Sequence, residues 1–129
     1  MLFDTTVLID YLRRNDQVAV SYVEAVIDGS QVGSCSVITE TELWAGIRSR
    51  GELLAAVSLI AKFESVPITR SVARLAGNLL RGKSLAQIRS HFGDALIAAS
   101  AMEAGETILT ADASSQRVFG SQATYLVYR

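Results

Sequence analysis

Cysteine, histidine and proline each occur only once in the 129 residues of this chain. The lone cysteine, Cys35, excludes an internal disulfide and is typical of a cytoplasmic protein. Because Cys35 lies in an apolar stretch, we expect a buried and unreactive thiol. One cysteine and one histidine, His91, supply too few of the usual ligands for a zinc site. We therefore expect His91 to be a surface or packing residue.

Long hydrophobic runs are also missing, and none reaches the roughly 18 residues of a membrane span. Asp4 and Asp10 interrupt the N-terminus, and no basic region precedes them as it would in a signal peptide. Nevertheless, 50% of the residues are hydrophobic and the mean hydropathy is +0.30. We expect a single domain over residues 1–129 with no membrane association. Such a small domain has a limited interior, so some apolar surface should contact another chain.

Acidic residues are absent from residues 65–93, although the net charge of the whole chain is −1. A net charge so near zero gives no general basic field for nucleic acid. The acid-free stretch could form a local surface for phosphates or an ordinary solvated face. Its cations are Arg70, Arg74, Arg81, Lys83 and Arg89.

Motifs of several enzyme classes do not occur. The chain has no Walker lysine motif and no dinucleotide-binding glycine pattern. It also lacks the G-x-S-x-G elbow of the α/β-hydrolases. Repeats and low-complexity segments are absent as well, so the remaining information lies in the order of strands, helices and acidic residues.

Short apolar strands alternate with amphipathic helices along the whole chain. This alternation predicts an α/β fold with a central, mainly parallel sheet flanked by helices. The strands are expected at 2–3, 31–36, 66–68, 106–110 and 123–127. Helices are expected after residue 4 through 12, and at 16–28, 36 or 39–48, 52–64, 70–81 and 95–104. A loop and an unassigned segment lead from 82 to 91.

Four acidic residues occupy positions where a purely structural role explains them incompletely. Asp4 ends the first strand and Asp112 follows the strand at 106–110, so both should lie at the carboxyl edge of a parallel sheet, where ligands bind. Asp94 opens an alanine-rich helix, and Glu42 lies in an early turn of another. Each acid also has a simpler interpretation as a helix cap or as an acid favoured by the helix dipole.

If these carboxylates converge, they repel one another unless protons or cations neutralise them. Sites made only of oxygen ligands suit Mg²⁺ or Mn²⁺. Such a cation can activate water and neutralise the charge of a phosphodiester. Phosphodiester hydrolysis is therefore the chemistry that this pattern favours.

The same positions carry a resemblance to PIN-domain ribonucleases, especially the VapC toxins of bacterial toxin–antitoxin pairs. Residues 2–10, LFDTTVLID, resemble the family's opening strand and helix, and residues 41–46, TELWAG, resemble its E-L-x-x-G element. Residues 93–99, GDALIAA, match the start of its D-A-L-I-A-A helix. Residues 108–112, ILTAD, match the strand before its last acidic site. The ordered set spans nearly the whole chain.

The resemblance implies a PIN-like three-layer fold and an endoribonuclease that depends on Mg²⁺ or Mn²⁺. It implies Asp4 and Asp94 as the metal ligands, with Glu42 and Asp112 completing the catalytic acidic pocket. Thr6 matches a small polar position that helps to hold this pocket. The implied partners are the RNA substrate, a second copy of the chain in a homodimer, and an inhibitory VapB-type antitoxin whose tail enters the active-site groove.

One position departs from the family pattern. Many relatives place a further acid three residues beyond the position of Asp112, where this chain has Ser115. Asp112 could then supply the charge alone, or a second metal could bind weakly. Two alternatives stay open: a PIN-like module that binds RNA or protein without cleaving it, and a phosphoacceptor receiver domain. The receiver domain is disfavoured, since Asp4 has no acidic neighbour and no lysine follows Lys83.

Overall fold

The computed structural model describes all of residues 1–129 and contains five strands and eight helices. The strands are β1 (Leu2–Phe3), β2 (Ser34–Ser36), β3 (Glu64–Val66), β4 (Ile108–Thr110) and β5 (Tyr125–Val127). The helices are α1 (Thr5–Arg13), α2 (Gln17–Ile27), α3 (Val37–Ala45), α4 (Arg50–Ile60), α5 (Arg70–Leu80), α6 (Leu85–Ser90), α7 (Phe92–Ala104) and α8 (Ala113–Phe119). No helix is long and apolar enough to cross a membrane.

The five strands form one parallel sheet in the order β3-β2-β1-β4-β5. The two-residue strand β1 lies at the centre, where Leu2 is paired with Ser34 of β2 and with Ile108 of β4. Because all strands point the same way, the residues that follow β1 and β4 meet at the same edge of the sheet. The predicted parallel α/β fold is confirmed.

Side chains of β1 alternate between the two faces of the sheet, as they do in any strand. Leu2 belongs to a core cluster with residues of α5 and α7, whereas Phe3 belongs to a second cluster with residues of α1 and α2. Phe3 packs edge to face on Phe63, with ring centroids 5.0 Å apart. Cys35 is buried in the second cluster, and burial raises the pKa of its thiol, as expected for an unreactive cysteine.

Helices α5 and α7 cover one face of the sheet and run in opposite directions. The Ser71 hydroxyl, at the start of α5, donates a 2.7 Å hydrogen bond to Glu103 near the end of α7. Val72, Ala76 and Leu80 recur at helical spacing and are buried. The beginning of α7, which carries Asp94, therefore lies beside the end of α5.

Several element boundaries differ from those expected. Asp4 caps α1 and accepts from the Thr5 N–H, as its simpler interpretation as a helix cap predicts. The segment left unassigned contains α6, which begins with a capping box of Ser84 and Gln87. Helix α8 was missed because its seven residues after the Asp112 cap carry little apolar periodicity.

Other elements start or stop a few residues from their expected limits. Strand β3 begins at Glu64, ahead of the proline, and not at residue 66 as expected. The hydrophobic pattern did not reveal its start because the first side chains of the strand are exposed. Helix α4 ends at Ile60 and α7 begins at Phe92. Gly105 ends α7 in the left-handed conformation, as expected, with φ of 67°.

The last residues of the chain fasten β5 to α1. The carboxylate of Asp10, which is buried in α1, accepts a 2.7 Å hydrogen bond from the Tyr128 hydroxyl. The same Oδ2 atom lies 2.6 Å from Nη2 of Arg129. Sequence patterning did not foresee this ion pair, because Asp10 lies within an apolar helix and its partners follow more than a hundred residues later.

Candidate functional site

The carboxylate of Asp4 is held at the carboxyl edge of the sheet by three donors. Its side chain is only 7% exposed. It accepts hydrogen bonds from the Thr5 N–H at 2.9 Å, the Thr6 hydroxyl at 3.1 Å and the Thr110 hydroxyl at 2.7 Å. Burial raises the pKa of Asp4, and these donors oppose that increase only in part. The hydrogen bonds therefore orient the carboxylate, but burial still makes its ionised form unfavourable.

Two threonine hydroxyls also connect Asp4 to the segment that follows β4. The Ala111 N–H donates to the Thr6 hydroxyl oxygen at 3.1 Å. The Asp112 N–H donates to the Thr110 hydroxyl oxygen at 2.9 Å. These bonds fix the first and the last acidic segments relative to each other across neighbouring strands.

Asp94 faces the same edge from helix α7. It is the third residue of that helix, so the interpretation of Asp94 as an N-cap is wrong. Burial and then the nearby charge of Asp4 raise the pKa of Asp94, while the Ser115 hydroxyl lowers it. Ser115, the position at which this chain departs from the expected family pattern, thus provides a hydroxyl to Asp94 rather than another negative charge.

Asp112 is the N-cap of α8, as the simpler interpretation held. It accepts from the Ser114 N–H at 2.8 Å and from the Ser114 hydroxyl at 2.7 Å. The Ser114 hydroxyl is the main cause that lowers the pKa of Asp112. Asp112 also raises the pKa of both Asp4 and Asp94, so it lies within electrostatic range of them. We call these three aspartates the acidic pocket.

Glu42 lies next to this pocket but is bound differently. Its side chain on α3 is exposed, and its Oε1 accepts a 2.7 Å hydrogen bond from the Thr5 hydroxyl. Because the Thr5 N–H donates to Asp4, Thr5 joins the two acids. Glu42 also borders a groove of about 290 Å³ between α1, α3 and α4, whose walls are mostly apolar and include Leu12 and Leu43.

Two residues near the pocket were not foreseen as site residues. The Tyr125 hydroxyl is buried without a hydrogen-bond partner, and burial followed by the charges of Asp94, Asp4 and Asp112 raises its pKa. His91 Nδ1 is also buried without a hydrogen-bond partner and lies 3.8 Å from Oδ2 of Asp94. The spacing of His91 one helical turn before Asp94 was the available signal, whereas nothing in the sequence pointed to Tyr125.

The pocket offers carboxylate oxygens to a cation, but it is not a closed cage. No group of three or more histidine, cysteine, aspartate or glutamate side chains is close enough to enclose a metal ion. Asp112 already uses its carboxylate to cap α8. Asp4 and Asp94 are therefore the residues with the strongest electrostatic reason to accept a cation, because both carry raised pKa values.

Comparison with known proteins identifies the family to which this fold belongs. The family model of the PIN domain matches residues 1–119. The chain belongs to the PIN domain family. It is 33% identical over 113 residues to Ribonuclease VapC19 of Mycobacterium tuberculosis, an alignment that covers 84% of this chain and 86% of that relative. The resemblance of this PIN domain to the VapC ribonucleases is thereby confirmed.

Solved structures share the fold over almost the whole chain. VapBC2 from Rickettsia felis, bound to a DNA fragment from its promoter, matches with a TM-score of 0.73 and 13% identity, covering 99% of this chain and 98% of that one. A toxin–antitoxin complex from Klebsiella pneumoniae matches with a TM-score of 0.70 and 23% identity, covering 89% and 88%. At these identities the matches show that the PIN fold is shared.

Proposed function

We propose that this PIN-domain chain is the toxin of a type II toxin–antitoxin pair and cleaves cellular RNA as an endoribonuclease that depends on Mg²⁺ or Mn²⁺. The observation that carries the proposal is the convergence of Asp4, Asp94 and Asp112 from β1, α7 and the end of β4. Membership of the PIN family and the similarity to a named ribonuclease support nuclease chemistry. RNA is the substrate class because that relative is a ribonuclease.

The chemistry of the pocket suits a hard divalent cation. All its donors are carboxylate oxygens, and two of the carboxylates are costly to ionise without a nearby positive charge. Asp4 and Asp94 would hold the ion directly, with Asp112 and Glu42 acting through water, since Mg²⁺ usually keeps several waters. When bound, the cation neutralises charge on the phosphodiester and activates water.

The chain's own residues prepare this site before any ligand arrives. Thr6 and Thr110 orient Asp4, and the Ser115 hydroxyl supports Asp94. The Ser114 hydroxyl lowers the pKa of Asp112 and so favours its ionised form. Thr5 keeps Glu42 beside Asp4. Such outer hydrogen bonds fix ligand geometry, so fewer degrees of freedom remain to be ordered upon binding.

The proposed partners are a VapB-type antitoxin and a second copy of the chain. Several structures with this fold are toxin–antitoxin complexes, including the one from Klebsiella pneumoniae. The groove between α1, α3 and α4 supports an antitoxin, because its apolar walls suit a hydrophobic segment and Glu42 borders it. An antitoxin arginine reaching the acidic pocket would compete with the metal by offering the carboxylates another cation.

The decisive experiment compares metal-dependent cleavage of total cellular RNA by the wild type and by two site variants. Asp4→Asn and Asp94→Asn should each lower the cleavage rate by at least about 100-fold in Mg²⁺, because each removes a proposed ligand while keeping the side-chain shape. Asp28→Asn is the matched control, since Asp28 is an exposed acid at the end of α2. Circular dichroism establishes that all three variants fold.

Two results would contradict the proposal in different ways. If Asp94→Asn cleaves RNA at the wild-type rate, Asp94 is not a metal ligand. A wild-type protein that binds RNA or a protein partner, but cleaves nothing in Mg²⁺ or Mn²⁺, would instead be a binding module with the PIN fold. If the wild type does cleave RNA, mapping the cut positions would identify its target sequence.

A further inference from the structure

Two basic side chains contact the same aromatic ring beside the acidic pocket. The Lys83 Nζ lies 6.0 Å from the centroid of the Phe119 ring. The His91 imidazole packs edge to face on that ring, with centroids 6.2 Å apart. Since His91 Nδ1 lies 3.8 Å from Asp94, the Phe119 ring connects Lys83 to the margin of the pocket.

His91 has an unmet hydrogen-bonding capacity at this margin. Its Nδ1 atom is buried but is too far from Asp94 for a hydrogen bond and has no other partner. Buried polar atoms in native proteins are normally satisfied, so an orphan of this kind indicates a missing partner. The nearest charged neighbour of this atom is the Asp94 carboxylate, so the imidazole stands at the margin of the acidic pocket.

Arg117 adds a third basic group from helix α8. It is exposed, makes no ion pair, and lies two residues before Phe119. Its charge reaches Asp112 and contributes to the lowered pKa of that carboxylate. The three basic groups come from different segments: Lys83 from the α5–α6 loop, His91 from the α6–α7 junction and Arg117 from α8. We call them the basic rim of the acidic pocket.

The structure separates this rim from Arg70 and Arg74, the first two cations of the acid-free stretch. Arg70 precedes Ser71, which is bound to Glu103 at the far end of α7. Glu103 is nine residues from Asp94, which corresponds to about 13 Å along a helix. Arg70 and Arg74 therefore lie toward the end of α7 that is remote from the pocket, although the sequence groups them with Lys83.

We propose that the basic rim is the phosphate-binding track for single-stranded RNA beside the scissile bond, with Lys83 and Arg117 each contacting a backbone phosphate and the partly exposed imidazole of His91 donating an N–H to the RNA. An acidic pocket repels a polyanion, so a near-neutral protein needs cations next to the site to hold its substrate. This inference rests on the proposed ribonuclease function and assigns the residues that position the RNA.

The test measures binding apart from cleavage. A short fluorescent single-stranded RNA is titrated in EDTA against protein carrying Asp94→Asn, from about 50 to 200 mM salt. Adding Lys83→Gln and Arg117→Gln should reduce the slope of log affinity against log salt by about 1.4, or about 0.7 for each lost phosphate contact. The matched control is Arg14→Gln with Lys62→Gln, which removes two cations from the groove beside Tyr11 and should leave the slope unchanged.

Two further variants sharpen the comparison. Arg70→Gln with Arg74→Gln should change the slope much less than the rim variants do. His91→Leu should weaken binding several-fold, and His91→Gln should restore part of the loss, because an amide can still donate. An unchanged slope on removal of Lys83 and Arg117, or an equal decrease on removal of Arg70 and Arg74, overturns the inference. Cleavage by the unmodified protein is measured separately, so wild-type cleavage with an unchanged slope contradicts the rim alone.

Discussion

The Thr110 hydroxyl donates a 2.7 Å hydrogen bond to Oδ2 of Asp4, across 106 residues of sequence. Thr110→Val keeps the side-chain shape but removes this donor and leaves the Asp112 N–H without its acceptor. We expect a loss of about 1–3 kcal/mol in the free energy of unfolding and at least about a 10-fold loss of cleavage. Urea denaturation and RNA cleavage measure the two effects. Thr124→Val, at an exposed position outside the pocket, should change neither.

The metal-free protein should become more stable as the pH falls from neutral toward 3.8, the ordinary pKa of an aspartate. The pKa values of Asp4 and Asp94 are raised above those of an unfolded chain, so the native state binds more protons in this range. The free energy of unfolding therefore decreases as the pH rises through the native pKa values of the two aspartates. Mg²⁺ should reverse the trend, because it binds the ionised carboxylates best.

Thermal unfolding at several pH values, with EDTA or with Mg²⁺, checks this expectation. The double variant Asp4→Asn, Asp94→Asn serves as the reference, because it lacks both titrating groups but retains the remaining acids. A pH profile identical in the wild type and the double variant would show that the pocket does not control this stability.

Tyr128→Phe should destabilise the protein, because it removes a hydroxyl donor from the buried carboxylate of Asp10. A hydrogen bond to a charged group contributes about 1.5–3 kcal/mol, and we expect a loss near the lower end because Arg129 remains paired with Asp10. The unfolding midpoint in urea should fall while the m-value stays constant. Tyr22→Phe is the control, since Tyr22 packs against the same core cluster; an equal loss there would exclude a specific effect of the hydroxyl bond.

The free protein should be a homodimer and should form a larger, inactive complex with its antitoxin. Light scattering on the purified chain, with and without the protein encoded next to it, measures both states. Ala55→Glu places a charge in the groove walls and should weaken inhibition at least about 10-fold while cleavage continues, because burying a carboxylate there is unfavourable. A strictly monomeric protein, or full inhibition of Ala55→Glu, would contradict the respective part of this prediction.

The sequence was sufficient to predict the order of the five strands and of six of the eight helices, because their apolar patterns are local. The short buried strand β1 could be anticipated from Leu2 and Phe3, which are both apolar and are followed at once by Asp4, whereas its central position in the sheet could not. Helix α8 was not predicted, since it begins at a polar cap. The start of β3 was placed too late, since Glu64 is exposed. Their conformations depend on neighbouring segments rather than on their own composition.

The candidate site was predictable to the extent that strand ends and helix starts are visible in the sequence. Asp4, Asp94 and Asp112 could be placed at one sheet edge by topology alone. The connections made by Thr5 and Thr110 could not, because they join segments that are distant along the chain. The unsatisfied atoms of His91 and Tyr125 were likewise invisible, since only the folded structure shows which donors lack partners.

The central strand also constrains when the pocket can exist during synthesis. Leu2 and Phe3 are made early, yet they pair with Ile108 and Leu109 of β4. Asp4 acquires its Thr110 donor only from that same late strand, so a nascent chain still short of residue 110 has an incomplete sheet and an unassembled pocket. Long-range pairing of this kind is slow to form. The interval between the start of translation and the assembly of the pocket is thus built into the strand order.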